Sequence, residues 1–233
     1  MKETVQIIDN AIKEGKHVHH AVVNAAKIVK MQEDKELYNS IVNADIINAD
    51  GMPIVWASRL LGKPLPERVA GIDLMQELIK LAYNRKYKIF FFGAKEEVVK
   101  KVVEKYSREY SPEIIAGYRN GYYSEEEEPL IAKQIAESGA NILFVGISSP
   151  KKEKFLYKYK HILKNVNFIM GVGGSFDVIA GKIKRAPKWM QKCGLEWVYR
   201  LVQEPRRMWR RYLIGNTKFI ILVIKEFLKT RFK

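Results

Sequence analysis

Residues 141–177 read NILFVGISSPKKEKFLYKYKHILKNVNFIMGVGGSFD. Two apolar runs, Asn141 to Ile147 and Asn167 to Val172, flank a charged segment with helical character, Lys151 to Leu163. Neither run alternates apolar with polar residues, so both faces of each strand are expected to be buried. Strands of that kind belong to a parallel sheet with helices on both sides. Ligands of such sheets sit where the strands end at their carboxyl side, which here is the glycine-rich stretch Gly171 to Asp177.

The same alternation extends toward the N-terminus. Thr4 to Glu14 carries Val5, Ile8, Ala11 and Ile12 at helical spacing and stops at Gly15. Val18 to Asn24 reads as a strand, Ala25 to Asn39 as a helix and Ala44 to Asn48 as a second strand, closed by Asp50-Gly51. Helices follow at Pro53 to Leu61 and Leu74 to Arg85, with Asp73 placed as the N-cap of the latter. Tyr87 to Phe92 is a strand closed by Gly93, Lys95 to Tyr110 a helix and Ile114 to Tyr118 a strand. Glu125 to Ser138 is a helix with an acidic first turn. The fold class is α/β, a Rossmann-like parallel sheet covered on both faces, over residues 1–187. A basic helical appendage occupies 188–233.

Composition fits a globular chain. Of 233 residues, 47% are hydrophobic and 29% charged, which excludes disorder and collagen. The single cysteine, Cys193, excludes a disulfide scaffold or a cysteine zinc site and points to a reducing, cytoplasmic compartment. Charged residues between Met1 and Gly15 are incompatible with a secretory core. The longest apolar run, Phe219 to Ile224, is far short of a bilayer span.

The net charge of +15 is concentrated. From Lys182 to Lys233 there are fifteen Lys and Arg against three Glu, a net of +12, which leaves +3 for the first 181 residues. The partner of the tail is therefore anionic: nucleic acid, an anionic lipid surface or a diphosphate. Arg207, Arg210 and Arg211 share a helical face suited to a diphosphate, and Arg200 and Arg206 lie close by among Trp197, Tyr199, Trp209 and Tyr212. The apolar run, flanked by Lys218, Lys225, Lys229, Arg231 and Lys233, is expected to lie in the interface of an anionic membrane.

The residues after strand ends are the candidates for chemistry. Asp50 can act as a general base, although Asp-Gly also simply makes turns. Gly171-Val172-Gly173-Gly174 can cradle a phosphate through backbone N–H groups. The loop lacks the dinucleotide spacing and the acidic residue about twenty positions on, which argues against an NAD-linked oxidoreductase. His17 and His19 share a strand face while His20 points away, too few ligands for a metal. The six Asp (9, 34, 45, 50, 73 and 177) include no Asp-x-Asp pair to chelate the magnesium of a nucleotide sugar.

Three ordered motifs, PLPERVAGIDLM (64–75), GVGGSFDVIAGKIKRAP (171–187) and GLEWVYRLVQEPRRMWRRYL (194–213), resemble the signatures of the WecG/TagA/CpsF family of bacterial glycosyltransferases. The resemblance covers most of the chain. It implies an inverting, metal-independent transferase with no cofactor, moving an N-acetylmannosamine-like or related hexose from a UDP-sugar. The acceptor it implies is a polyprenyl-diphosphate-linked saccharide of cell-surface polysaccharide or teichoic acid assembly, met at the cytoplasmic membrane face. Carried over by motif, Asp50 is the catalytic base. Asn24, Gly93, Lys151, Lys152, Glu153, Gly171, Gly173, Gly174, Ser175 and Asp177 bind the donor. Arg200, Arg206, Arg207, Arg210 and Arg211 hold the acceptor diphosphate. A homo-oligomer is compatible with this reading, and nucleic acid is not a partner in it. The alternative is a nucleic-acid-binding protein with a Rossmann-like core and the same basic tail. Three positions depart from the family pattern: Val22 replaces a Thr, Ser148 a Gly and Lys152 a Gln.

Overall fold

In the computed structural model, which describes residues 1–231, six strands run parallel in one sheet. They are β1 (Val18–Val23), β2 (Ile46–Ala49), β3 (Ile89–Gly93), β4 (Ile115–Arg119), β5 (Ile142–Gly146) and β6 (Phe168–Gly171). Their order across the sheet is β2-β1-β6-β5-β3-β4. The connecting helices are α1 (Lys2–Lys13), α2 (Ala25–Met31), α3 (Lys35–Val42), α4 (Met52–Leu60), α5 (Gly71–Arg85), α6 (Glu96–Glu109), α7 (Glu128–Glu137), α8 (Lys151–Lys158) and α9 (Ser175–Ile179).

The unbroken apolar runs feed two cores. Phe91, Phe144, Phe168 and Met170 point to one face, against Leu74 and Leu78 of α5 and Val99 of α6. Their strand neighbours Phe90, Phe92, Leu143, Val145 and Ile169 point to the other, against Ile131 and Ile135 of α7 and Phe155 of α8. The period-two geometry of a strand thus divides one apolar run between two layers. Gly93 and Gly146 let β3 and β5 converge at their ends: a Cβ on Gly93 would stand 2.5 Å from the Gly146 carbonyl carbon, and one on Gly146 would stand 2.4 Å from the Phe176 ring.

Some elements differ from the sequence expectation. The helix expected over Ala25 to Asn39 is two helices, because Asp34 turns extended and its carboxylate accepts from Leu37 N at 2.9 Å, capping α3. The helix expected to reach Leu163 ends at Lys158. Asp73 is not an N-cap: α5 begins at Gly71, and Asp73 takes a bidentate ion pair from Arg185 at 2.5 and 2.7 Å. The cap signal was legible, but a guanidinium 112 residues away was not.

Beyond Pro187 the basic segment forms α10 (Lys188–Lys192), α11 (Glu196–Gln203) and α12 (Pro205–Trp209). A single π-helical turn, Arg210–Ile214, then leads into α13 (Gly215–Arg231). Helix α13 packs on α2, and Met208 and Phe219 are buried. Ile220, Ile221 and Ile224 of the same apolar run remain about half exposed. Lys233, counted among the membrane-facing cations, lies outside the described residues. Among the described residues no helix is long and apolar enough to cross a membrane.

Candidate active site

The strand order places the site. From β1 the chain leaves through α2 toward the β2 edge, while β6, its neighbour, continues into α9, so the loops after β1 and β6 part and leave a crevice at the carboxyl ends. Two clefts open there, one of about 500 Å³ and one of about 170 Å³. Asn24, Ala26, Asp50, Arg200 and Arg211 line both.

Asp50 follows β2 and is tied to β1 by its backbone N–H, which donates to Val23 O at 2.8 Å. Asn24 follows β1 and caps α2, its side-chain oxygen accepting from Lys27 N at 3.0 Å. Both are partly exposed into the crevice. The sheet therefore presents a carboxylate at the boundary of two compartments, the placement a base needs to reach a hydroxyl in one and an electrophile in the other.

The larger cleft is strongly cationic. Lys27, Lys30, Lys152, Arg200, Arg207, Arg210, Arg211 and Lys218 line it, against the carboxylates of Asp50 and Asp177. Its glycine wall, Gly171 to Gly174, fits closely around two of these cations. A Cβ on Gly171 would stand 2.8 Å from Lys152 Cδ and Cε, and one on Gly174 would stand 2.7 Å from Arg200 Nη2. Gly173 holds φ +55, a backbone conformation that favours glycine.

Beneath this wall lies a buried charge cluster. Glu153 Oε1 is 2.8 Å from Lys27 Nζ and 2.7 Å from Lys152 Nζ, and Lys27 Nζ also donates to Val22 O at 2.5 Å. Burial pushes the Glu153 carboxyl up, but the two ammonium groups outweigh it and hold it at about 2. Burial pushes Lys152 down, Lys27 adds to the shift, and its pKa falls to about 8. The cluster of Lys27, Lys152 and Glu153 carries one net positive charge.

The smaller cleft is lined by Arg68, Glu196, Trp197 and Tyr212 beside Asp50. Arg68 Nη2 lies 3.1 Å from Glu196, and Arg185 Nε 3.8 Å from the same carboxylate, which ties the start of α11 to the loop before α5.

The structure gathers Asp50, Asn24, Lys152, Gly171, Gly173, Gly174, Asp177, Arg200, Arg207, Arg210 and Arg211 around the clefts, with Glu153 beneath. Four other candidates lie elsewhere. Gly93 packs on Gly146, Lys151 Nζ sits 3.7 Å above the Tyr123 ring, Ser175 Oγ donates to Val172 O, and exposed Arg206 does not line either cleft. Lys27, Arg68, Trp197 and Tyr212 line the clefts without having been assigned, and Lys218, expected to face a membrane, lines the larger cleft and pairs with Glu33 at 3.1 Å. Arg68 stands inside the motif PLPERVAGIDLM, so a signal for it was present; Lys27 shows none, because its partner Glu153 is 126 residues away.

All of residues 1–233 match the Glycosyl transferase WecG/TagA/CpsF family. The chain belongs to that family. It is 41% identical over 194 residues to a protein of Bacillus subtilis (strain 168) described as N-acetylglucosaminyldiphosphoundecaprenol N-acetyl-beta-D-mannosaminyltransferase, covering 83% of this chain and 74% of the relative. A protein of the same description from Bacillus spizizenii is 39% identical over 190 residues, 81% of this chain and 72% of the relative. As a WecG/TagA/CpsF glycosyltransferase, the chain presents its cationic crevice at the position where ligands of α/β sheets bind.

Proposed function

We propose that this glycosyltransferase moves an N-acetylmannosamine-like hexose from a UDP-sugar to a polyprenyl-diphosphate-linked saccharide, with inversion and without a metal, on the cytoplasmic face of the membrane. The observation that carries the reading is Asp50 at the boundary of the two clefts. The larger cleft takes the donor: Gly171 to Gly174 supply a close backbone wall, and Lys152, Arg200 and Arg207 supply positive charge to a diphosphate. The smaller cleft takes the acceptor saccharide, with Arg68 and Arg211 nearest its diphosphate.

The chemistry follows as one displacement. Asp50 accepts the proton of the acceptor hydroxyl as its oxygen attacks the anomeric carbon from the face opposite the leaving UDP. The glycosidic bond forms as the bond to the diphosphate oxygen breaks, and the charge released there is met by the cations of the larger cleft. A fixed set of ammonium and guanidinium groups can perform the neutralising role otherwise given to a divalent ion. The family resemblance supports the uridine donor, the relatives' N-acetylglucosaminyldiphosphoundecaprenol substrate supports the lipid-linked acceptor, and the cationic lining of the clefts suits both diphosphates.

Incubation with a panel of UDP-sugars and a short-chain lipid-diphosphate saccharide tests the reading. Transfer should be greatest with UDP-N-acetylmannosamine and should persist in EDTA. Oligonucleotides that raise the melting temperature where UDP does not would support the nucleic-acid alternative instead.

A further inference from the structure

A groove of about 530 Å³ runs between α4 and α13. Its walls include Trp56, Leu60, Leu213, Ile220, Val223 and Ile224, and all but Val223 are exposed to about half of their surface. Apolar side chains gathered around one open channel mark a place built to be covered.

The groove is continuous with the active site. Pro53, Trp197, Tyr212 and Asn216 line both it and the smaller cleft, where Asp50 and the guanidinium groups of Arg68, Arg200 and Arg211 stand. Moving outward from Asp50, the walls pass from cationic to aromatic to aliphatic. A lipid diphosphate has the same order, from sugar and phosphates to hydrocarbon.

We propose that this groove seats the first isoprene units of the acceptor's polyprenyl chain. The inference rests on the lipid-diphosphate acceptor of the proposed function and gives its lipid a defined place. Bilayer acyl chains could cover the same side chains, but they have no need of a channel opening beside the catalytic carboxylate. An occupant anchored at both ends, by phosphates among the arginines and by hydrocarbon against Trp56 and Ile220, uses both parts. Such a seat fixes how far the acceptor hydroxyl stands from the membrane.

Tryptophan fluorescence titration of the full chain without membranes tests the seat, with farnesyl diphosphate and inorganic diphosphate as probes. Each methylene withdrawn from water strengthens binding by a factor of about four, so farnesyl diphosphate should bind at least about tenfold more tightly. In a Leu60→Ser, Ile220→Ser double variant the two probes should bind within about twofold of each other. Both sites are surface positions, and a preserved rise in melting temperature with UDP would show that the variant is folded.

Equal affinity for the two probes in the wild type, or a preference kept in the variant, would overturn the proposal. So would groove substitutions that change only oligomeric state or only liposome binding. If farnesyl preference holds while no UDP-sugar supports transfer, the proposed reaction fails and the seat stands. Transfer that ignores chain identity removes the seat and leaves the reaction.

Discussion

Arg200, from the basic C-terminal segment, lays its guanidinium against Gly174, so closely that a Cβ there would stand 2.7 Å from Nη2. The contact joins α11 to the glycine wall that follows β6, so the crevice is built from both halves of the charge-divided sequence.

Gly174→Ala should therefore act through Arg200. Gly174 has φ −74, which alanine adopts without strain, so the melting temperature should hardly move. The displaced guanidinium should cost about tenfold in UDP affinity, the order of one charge-assisted hydrogen bond. Calorimetric titration measures it, and unchanged affinity would detach Arg200 from the donor.

Asp50→Asn keeps the shape of the boundary and removes the base. Turnover should fall by about 100- to 10,000-fold, with UDP affinity close to wild type because the nucleotide does not use that proton. A variant keeping more than about a third of the wild-type rate would shift the base to another carboxylate, Asp177 first.

Lys152 supplies a pH signature. A bound diphosphate favours the charged ammonium, so UDP affinity should decline as pH rises through about 8, where the free enzyme's Lys152 loses its proton. Lys152→Gln should bind UDP more weakly at pH 7 and lose this step. The substitution leaves the Lys27 to Glu153 pair intact and removes the net buried charge, so it should not lower the melting temperature. A wild-type affinity flat between pH 7 and 9 would remove Lys152 from the phosphate contacts.

The sheet was legible because its signal is local. Runs such as Ile142 to Val145 state their burial residue by residue, and strand ends then nominate Asn24, Asp50 and Gly171 without knowledge of partners. What escaped depends on contacts distant in sequence. Asp73 looked like a cap because local spacing allows it, whereas Arg185 decides its role. Arg207 and Arg210, placed on one helical face by spacing and with the acceptor by the family motif, both line the larger cleft beside the glycine wall, a neighbourhood that spacing does not state. The pairing of Asp73 with Arg185 and the placement of α12 and the turn after it on the crevice are tertiary, and neither leaves a trace in spacing.

Two buried histidines should make the fold sensitive to acid. Burial is the main force lowering His19 and His20 to about 4, with Lys160 adding to the effect at His19; at His20 the hydrogen bond with Asn48 only partly offsets it. Both remain neutral in the native state while the unfolded chain takes up protons near 6.5. Their contribution is fully present above pH 6.5 and is lost as pH falls toward 4, by about 3 kcal/mol each at most. Urea midpoints across that range measure the loss, and His20→Gln should flatten the slope. A slope unchanged by the substitution would place the acid sensitivity elsewhere.

The proposed membrane attachment can be tested apart from the site, because the cations expected to face a bilayer and those lining the clefts lie at different ends of the tail. Lys225, Lys229 and Arg231 lie on the last turns of α13 and line neither cleft, while Arg200, Arg207, Arg210 and Arg211 do. Each basic residue close to an anionic surface contributes about 1 kcal/mol, attenuated within a Debye length. Lys225→Glu combined with Lys229→Glu should reduce flotation with phosphatidylglycerol vesicles by at least about tenfold, and wild-type flotation should itself fall as salt rises. UDP affinity should be unaffected. Truncation after Gly194 should behave differently: it removes four arginines of the clefts and the buried Met208 and Phe219, so nucleotide binding should fall along with vesicle binding. Vesicle binding that ignores both salt and the charge reversals would refute electrostatic anchoring by α13. A truncated chain that still binds UDP as tightly as the full chain would refute the assignment of the tail arginines to the donor.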